Sequence, residues 1–244
     1  MKFQHLVYST LLMLNFSCGT MNIGGFSKSS TTEKIVIGNI GDGKEFILQN
    51  KFKNSAFPSY KQPVKVSVSE IFFNNRSYQL FEKAKGFQSS NININYTDSI
   101  SDKPKYLKLT LADKVGVINA LNNDENHSVK TYLSHKKDVV LVSGVSIAFN
   151  KEDIKSIEDA DVVFFIEKNY KNYVLQLYNS GKIAKELSFN QGVVFQYETL
   201  NCCWQKNTRQ ELNIVDLVTG FSDCPRETFR SIKRAQKKNT YYKF

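Results

Sequence analysis

The feature that most constrains the fold is a rapid succession of strand-like segments in the second half of the chain. Residues 162–166, 173–178, 183–189, 193–197 and 212–218 are rich in Val, Ile, Leu, Phe and Tyr. Short polar turns join the first four segments, and turns of this length connect antiparallel neighbours, because a parallel crossover needs about a dozen residues or more. The C-terminal half therefore predicts a β-meander.

The first half of the chain mixes strands with short helices. Residues 64–68 alternate between Val and polar residues, as in a half-exposed strand, and residues 139–142 are continuously apolar, as in a central strand. Three helical patterns begin after Asp113, around Val129 and after Asn150. Helices grouped between two strand-rich regions predict an α+β fold, with a mainly antiparallel sheet, the C-terminal β-meander and three short helices on one face.

Composition and the positions of the prolines predict one main domain. The chain has 41% hydrophobic and 23% charged residues, which excludes a collagen-like, a multi-span membrane or a wholly disordered protein. We expect a single α+β domain over residues 33–225, followed by a basic helix or tail over residues 226–244. Two prolines interrupt the strand pattern between residues 56 and 63. A separate small β-unit at residues 33–63 is therefore an alternative to a single domain.

The N-terminal segment has the pattern of an export signal. Lys2 precedes a short apolar stretch over residues 6–16, and small residues follow it. The stretch is too short to span a bilayer as a stable helix, whereas this order of features is typical of a secretory signal. We therefore expect a signal peptide over residues 1–17 and a flexible tether, rich in Gly, Ser and Thr, over residues 18–32.

The end of the signal resembles the lipobox of Gram-negative lipoproteins, in which cleavage precedes a Cys that carries a diacylglyceryl group. Ser17 and Cys18 match that pattern, while Asn15 and Phe16 depart from its usual residues. The resemblance covers the first 18 residues and implies lipidation of Cys18 and attachment to the membrane through this lipid. Because Gly19 stands where inner-membrane lipoproteins carry Asp, the resemblance implies the outer membrane, facing the periplasm or the cell surface. The alternative is an ordinary cleaved signal and a secreted protein.

Three further cysteines fall in a compartment that favours disulfides: Cys202, Cys203 and Cys224. Adjacent residues on a strand point to opposite faces, so one of the first two pairs with Cys224. The odd-numbered positions from Val193 onward are apolar, which favours Cys203 and leaves Cys202 as the alternative partner. The closed loop of about twenty residues is expected to contribute roughly 3 kcal/mol of stability.

No motif indicates a catalytic constellation. The chain has no His-Glu-x-x-His, Gly-x-Ser-x-Gly or Cys-x-x-Cys pattern, and His127 and His135 stand too far apart to clasp one metal from a single helix. We therefore predict no metal and no cofactor, and a binding or assembly component of the cell envelope. The alternatives are an envelope hydrolase whose catalytic residues are scattered in sequence, with a solvent-facing Cys202 or the two histidines as candidates, and an immunity-type protein. A deep pocket with converging polar groups would favour the hydrolase, and a flat or grooved surface the binding component.

The positive charge is concentrated at the C-terminus. The formal net charge is +10, and residues 226–244 contain seven basic side chains against one acidic, or +6. Pro225 predicts a helix that starts directly after Cys224. This segment is interpreted either as a solvated terminal helix or as a docking element for lipid headgroups or another anionic polymer, or for an envelope protein. The export signal argues against nucleic acid. The candidate residues for anionic-surface binding are Arg230, Lys233, Arg234, Lys237 and Lys238.

Overall fold

The structure is a computed structural model, and it describes residues 28–42, 45–46, 49–50, 52–136, 138–169 and 172–237. The predicted signal peptide, Cys18 and Lys238 lie outside these residues. The strands are β1 (Ser29–Ser30), β2 (Ile40–Asp42), β3 (Glu45–Phe46), β4 (Gln49–Asn50), β5 (Lys53–Ala56), β6 (Val64–Phe72), β7 (Lys105–Leu111), β8 (Val139–Ala148), β9 (Val162–Asn169), β10 (Asn172–Asn179), β11 (Lys182–Ser188), β12 (Val193–Lys206) and β13 (Leu212–Val218). The α-helices are α1 (Asn75–Gln88), α2 (Lys114–Asn122), α3 (His127–His135), α4 (Lys151–Glu158) and α5 (Ile232–Lys237).

One 11-stranded antiparallel sheet organises the described chain. Its main order is β1-β12-β8-β7-β6-β9-β10-β11, while β13 pairs with β12, and β2 pairs with both β5 and β8. A separate two-stranded sheet joins β3 and β4. The predicted α+β fold with a mainly antiparallel sheet is confirmed.

The predicted meander holds for three strands and then ends. β9, β10 and β11 pair in succession, but β11 lies at one edge of the sheet while β12 lies between β1 and β8. The prediction that a short turn pairs β11 with β12 is wrong, because residues 189–191 form a 3-10 turn with Phe189 buried in the core. Gly192 then passes β8 so closely that a Cβ would lie 2.4 Å from the Ile147 side chain.

Helices cover both faces of the sheet, and β8 is buried along its whole length. Ile154 of α4 packs in one core cluster with Val142, whereas Leu121 of α2 packs in another cluster with Leu141. Successive residues on a strand point to opposite faces, so α4 lies on the face opposite α2. The prediction of three helices on one face is therefore wrong for α4, because an amphipathic pattern does not specify which face of a sheet a helix covers.

Helix α1 was not predicted from the sequence. Asn74 and Ser77 form a reciprocal capping box, in which each side-chain oxygen accepts from the backbone N–H of the other residue. Phe81 packs edge-on against Phe195 of β12. At the end of the helix, the Gln88 side chain both donates to the carbonyl of Val194 and accepts from its N–H, which fixes α1 to β12.

The N-terminal part of the described chain belongs to the same sheet. Ser29 and Ser30, which fall in the predicted tether, pair with Tyr197 and Gln196 of β12. Within residues 33–63, Ile35 is fully buried in the main core and β2 pairs with β8. Throughout the described residues, no helix has the length and apolar character needed to cross a membrane.

Candidate functional site

A pocket of about 490 Å³ lies between strands β7, β8, β12 and β13, on the face of the sheet that carries α2. Its volume falls within the usual range of small-ligand sites, about 300 to 1,000 Å³. Two of its lining residues, Thr110 and Glu198, pair with Gly144 of the central strand, and we call it the Gly144 pocket.

Gly144 lets neighbouring groups pack closely against the central strand. It pairs with Thr110 of β7 on one side and with Glu198 of β12 on the other, so the three residues form one cross-strand row. A Cβ at Gly144 would lie 2.9 Å from the Thr110 side chain, 3.2 Å from the backbone oxygen of Leu109 and 3.4 Å from Glu198 Oε2. A glycine inside a strand often marks such a close approach, and here the Thr110 and Glu198 side chains occupy the space that a side chain would need.

A buried ion pair lies beside this row. Lys108 Nζ of β7 lies 2.8 Å from Glu198 Oε1 of β12. The Glu198 side chain is only 5% exposed, and that of Lys108 is 23% exposed. A carboxylate this deeply buried requires a counter-charge, because leaving it alone costs several kcal/mol. Lys108 supplies that charge and remains partly accessible from the pocket.

Ser143 contributes a hydroxyl with no partner. Its Oγ is buried and makes no hydrogen bond within the part of the chain that the structure describes. Buried side-chain polar atoms are nearly always satisfied, so an exception calls for an explanation. Because Ser143 also lines the Gly144 pocket, a bound molecule is one such explanation.

One wall of the pocket is apolar. Its side chains are Leu111, Leu200, Leu217 and Val218, which come from β7, β12 and β13. A polar floor beside an apolar wall matches a ligand that has both characters. Lys114, Thr219 and Ser222 complete the lining. Lys114 also forms an ion pair with Asp216.

Arg230 holds the rim of the pocket, which we define as residues 219–222. Its guanidinium donates hydrogen bonds to the carbonyls of Thr219 at 2.7 Å and Gly220 at 2.9 Å, and also to the carbonyl of Ser222. The hydroxyls of Thr219 and Ser222 lie 2.6 Å apart. Sequence reasoning treated Arg230 as a cation for an external anionic surface, whereas its donors serve carbonyls of this chain.

The predicted disulfide between Cys203 and Cys224 is confirmed and anchors the same segment. It joins β12 to the residues that follow the rim. A short backbone bridge reinforces it: the N–H of Trp204 donates to the carbonyl of Phe229 at 2.8 Å, and the N–H of Phe229 donates back at 2.9 Å.

The predicted helix start at Pro225 is wrong. The backbone of Phe229 is engaged with β12, and Glu227 has φ 69°, a left-handed conformation that interrupts a right-handed helix. Helix α5 therefore begins only at Ile232. On this helix Lys233 and Arg234 are exposed, and Lys237 lies at its C-terminal end.

The residues proposed for the hydrolase alternative do not form a catalytic arrangement. Cys202 is buried instead of solvent-facing, and burial raises the pKa of its thiol to about 12, so the reactive thiolate is disfavoured. His127 and His135 are exposed on α3 and do not line the Gly144 pocket. The pocket itself does bring polar groups together, which is the arrangement expected of an enzyme. Ser143, however, has no base within hydrogen-bonding reach in the described chain, and a nucleophilic serine needs one.

Sequence reasoning missed every residue that lines the pocket. Lys108 and Thr110 alternate with leucines in β7, a pattern that predicts a face in contact with water. Gly144 inside an apolar strand was the available signal, because glycine weakens a strand unless something approaches closely. Thr110, Gly144 and Glu198 come into one row only through pairing between strands that are far apart in sequence, and no short sequence pattern specifies that pairing.

No family model, curated protein or solved structure matches the chain. Within the described ranges, no three His, Cys, Asp or Glu side chains come together as a metal site would require. The Gly144 pocket is therefore interpreted from its own residues.

Proposed function

We propose that the protein is an exported component of the cell envelope that binds a small amphipathic ligand in the Gly144 pocket. The observation that carries the proposal is the unsatisfied Ser143 hydroxyl beside the Lys108–Glu198 pair, at the foot of an apolar wall. Pockets that bind small molecules combine these same elements, a mostly apolar lining with a few placed polar groups.

Binding accounts for the polar groups better than catalysis does. Lys108 Nζ lies 2.8 Å from Glu198 Oε1, so this amine is engaged with a carboxylate and is not placed to act as a base toward Ser143. Fixed, buried donors and acceptors are well suited to orient a ligand, because a wrong ligand would leave them without partners.

A thermal-shift panel tests the proposal. Amino acids, dipeptides, monosaccharides, amines and monocarboxylates are added to the purified protein, and one class is expected to raise Tm, since a ligand that binds only the folded state stabilises it. Ser222→Trp places an indole at the pocket mouth and should abolish the rise. Ser231→Trp changes an exposed serine outside the pocket and should preserve it. The proposal fails if no class raises Tm, or if the rise survives Ser222→Trp.

Export and lipidation remain part of the proposal. They are supported by the signal pattern over residues 1–17 and by the resemblance of Ser17 and Cys18 to a lipobox. Cells grown with a radioactive fatty acid should label the wild type and not Cys18→Ala. Equal label in both proteins would contradict the lipid anchor.

The exposed cations of α5 are proposed to contact anionic lipid headgroups. Lys233 and Arg234 are exposed, while Ala235 is buried against the body of the protein. Each basic residue near an anionic membrane contributes about 1 kcal/mol. Replacing both cations with alanine should therefore reduce cosedimentation with phosphatidylglycerol vesicles. The control, alanine at the exposed Lys151 and Lys155 of α4, removes the same charge elsewhere. An equal reduction in both variants would show that only net charge matters and would overturn this surface.

A further inference from the structure

The charges around the Gly144 pocket are balanced. Lys108 and Glu198 pair at the floor, and the lining residue Lys114 pairs with Asp216, which lies outside the lining. Two cations and two anions leave the site without net charge. A ligand with net charge would leave one charge uncompensated beside a carboxylate that is 5% exposed, where the cost is highest.

The two ends of the pocket present different accessible groups to a ligand. At the floor, Glu198 Oε2 lies beside Gly144, and the Ser143 hydroxyl is unsatisfied, so both can accept hydrogen bonds from one ligand donor. Toward the mouth, the Lys114 side chain is 45% exposed and offers a cation. An ammonium group at the floor and a carboxylate at the mouth satisfy both ends.

The wall between these two ends selects an apolar group. Leu111, Leu200 and Leu217 line it, and burying one aliphatic side chain is worth about 1.5 to 3 kcal/mol. We infer that the ligand is a small zwitterion with an apolar side group, that is, an apolar amino acid or a short peptide that begins with one. This inference rests on the proposed function and names its ligand class.

Five probes separate the parts of the inference by isothermal titration calorimetry. L-leucine carries all three groups, 4-methylpentanoate lacks the ammonium, leucinamide lacks the carboxylate, and glycine lacks the apolar side chain. Leucylglycine keeps both charges with a longer spacing. We expect leucine or leucylglycine to bind at least about tenfold more tightly than each of the three incomplete probes, since one lost charged hydrogen bond costs about 1.5 kcal/mol or more. Whichever of the two binds more tightly distinguishes free amino acids from peptides.

A matched pair of variants places the binding in the pocket. Ser143→Ala removes the unsatisfied hydroxyl without breaking a hydrogen bond among the described residues, and it should weaken binding of the preferred zwitterion about fivefold. Ser146→Ala changes another buried serine of β8 that does not line the pocket, and it should leave affinity unchanged. Equal effects of the two variants would overturn the assignment to this floor.

The outcomes separate this inference from the proposed function. If 4-methylpentanoate or leucinamide binds as tightly as leucine, the zwitterion inference is overturned while the pocket remains a binding site. The same holds if no probe binds but another compound of the thermal-shift panel does, with sensitivity to Ser222→Trp. If no compound binds in either experiment, both are overturned.

Discussion

The floor and the rim of the Gly144 pocket are built in different ways. Strands β7, β8 and β12 make the floor, where antiparallel ladders join each strand to its neighbour and β8 is buried throughout. The β8–β12 ladder shifts register between Glu198 and Thr199 and continues beyond that point. The rim, residues 219–222, has no such ladder. It depends on the exposed Arg230 side chain and on the nearby disulfide between Cys203 and Cys224.

This difference separates stability from access to the site. A change in the floor must disturb the core of the sheet, because the floor side chains and the core share the same backbone. A change in the rim breaks a few exposed contacts, and such segments open at low free energy while the rest of the protein stays folded. Floor variants should therefore lower global stability, and rim variants should chiefly loosen the pocket mouth.

The largest effect is expected for Gly144→Val. The new Cβ would meet Thr110 and the backbone of Leu109 and would push the Glu198 carboxylate from Lys108. Overpacking and a disturbed buried ion pair together should lower the free energy of unfolding by about 4 kcal/mol, measured by urea denaturation. Gly86→Val is the control, because no atom lies within 4 Å of the new Cβ there. A loss below about 1 kcal/mol at Gly144 would show that the floor is not tightly packed.

A somewhat smaller loss is expected when the disulfide is removed. The double variant Cys203→Ala, Cys224→Ala frees a loop with a sequence separation of 21 residues, and chain entropy predicts a loss of about 3 kcal/mol in unfolding free energy. Cys202→Ala is the control, since it removes a buried thiol and keeps the disulfide, and it should cost about 1 kcal/mol. Equal losses in the two proteins would mean that the cross-link contributes no more than ordinary packing.

The same difference explains how far the sequence could predict the molecule. The β9–β10–β11 meander follows from short turns, which are local. The choice of Cys203 over Cys202 was correct, but the alternation used to make it does not run unbroken along β12, because the strand shifts register between Val194 and Gln196 and between Glu198 and Thr199. The position of β12 beside β8 depends on where a strand finds its partner after residues 189–191, and no local pattern specifies that. The floor of the pocket depends on this same pairing, so its residues were predicted only as strand positions.

A smaller effect on stability is expected for Arg230→Ala. It removes the hydrogen bonds to the rim carbonyls and should lower the unfolding free energy by only about 1 kcal/mol, because the guanidinium is exposed. The rim itself should open more often. Phe221, which is 79% exposed, gives a readout, because chymotrypsin should cleave after it faster than in the wild type. Arg234→Ala removes the same charge from α5, and chymotrypsin should cleave it at the wild-type rate. If this variant is also cleaved faster, the effect comes from the lost charge and not from the rim contacts.

The smallest effect is expected at Cys202, and it tests whether the rim opens without the floor. Cys202 packs with Trp204 in a core cluster, and burial raises the pKa of its thiol to about 12. Because the folded state favours the protonated thiol, this group contributes stability below its ordinary pKa and loses that contribution as the pH rises toward 12. At pH 8, iodoacetamide should therefore label Cys202 only as fast as the whole protein unfolds, and Arg230→Ala should not accelerate labelling beyond the change in global unfolding. Rapid labelling in Arg230→Ala, with the unfolding rate unchanged, would mean that opening the rim also exposes the interior of β12, so that floor and rim form one cooperative unit.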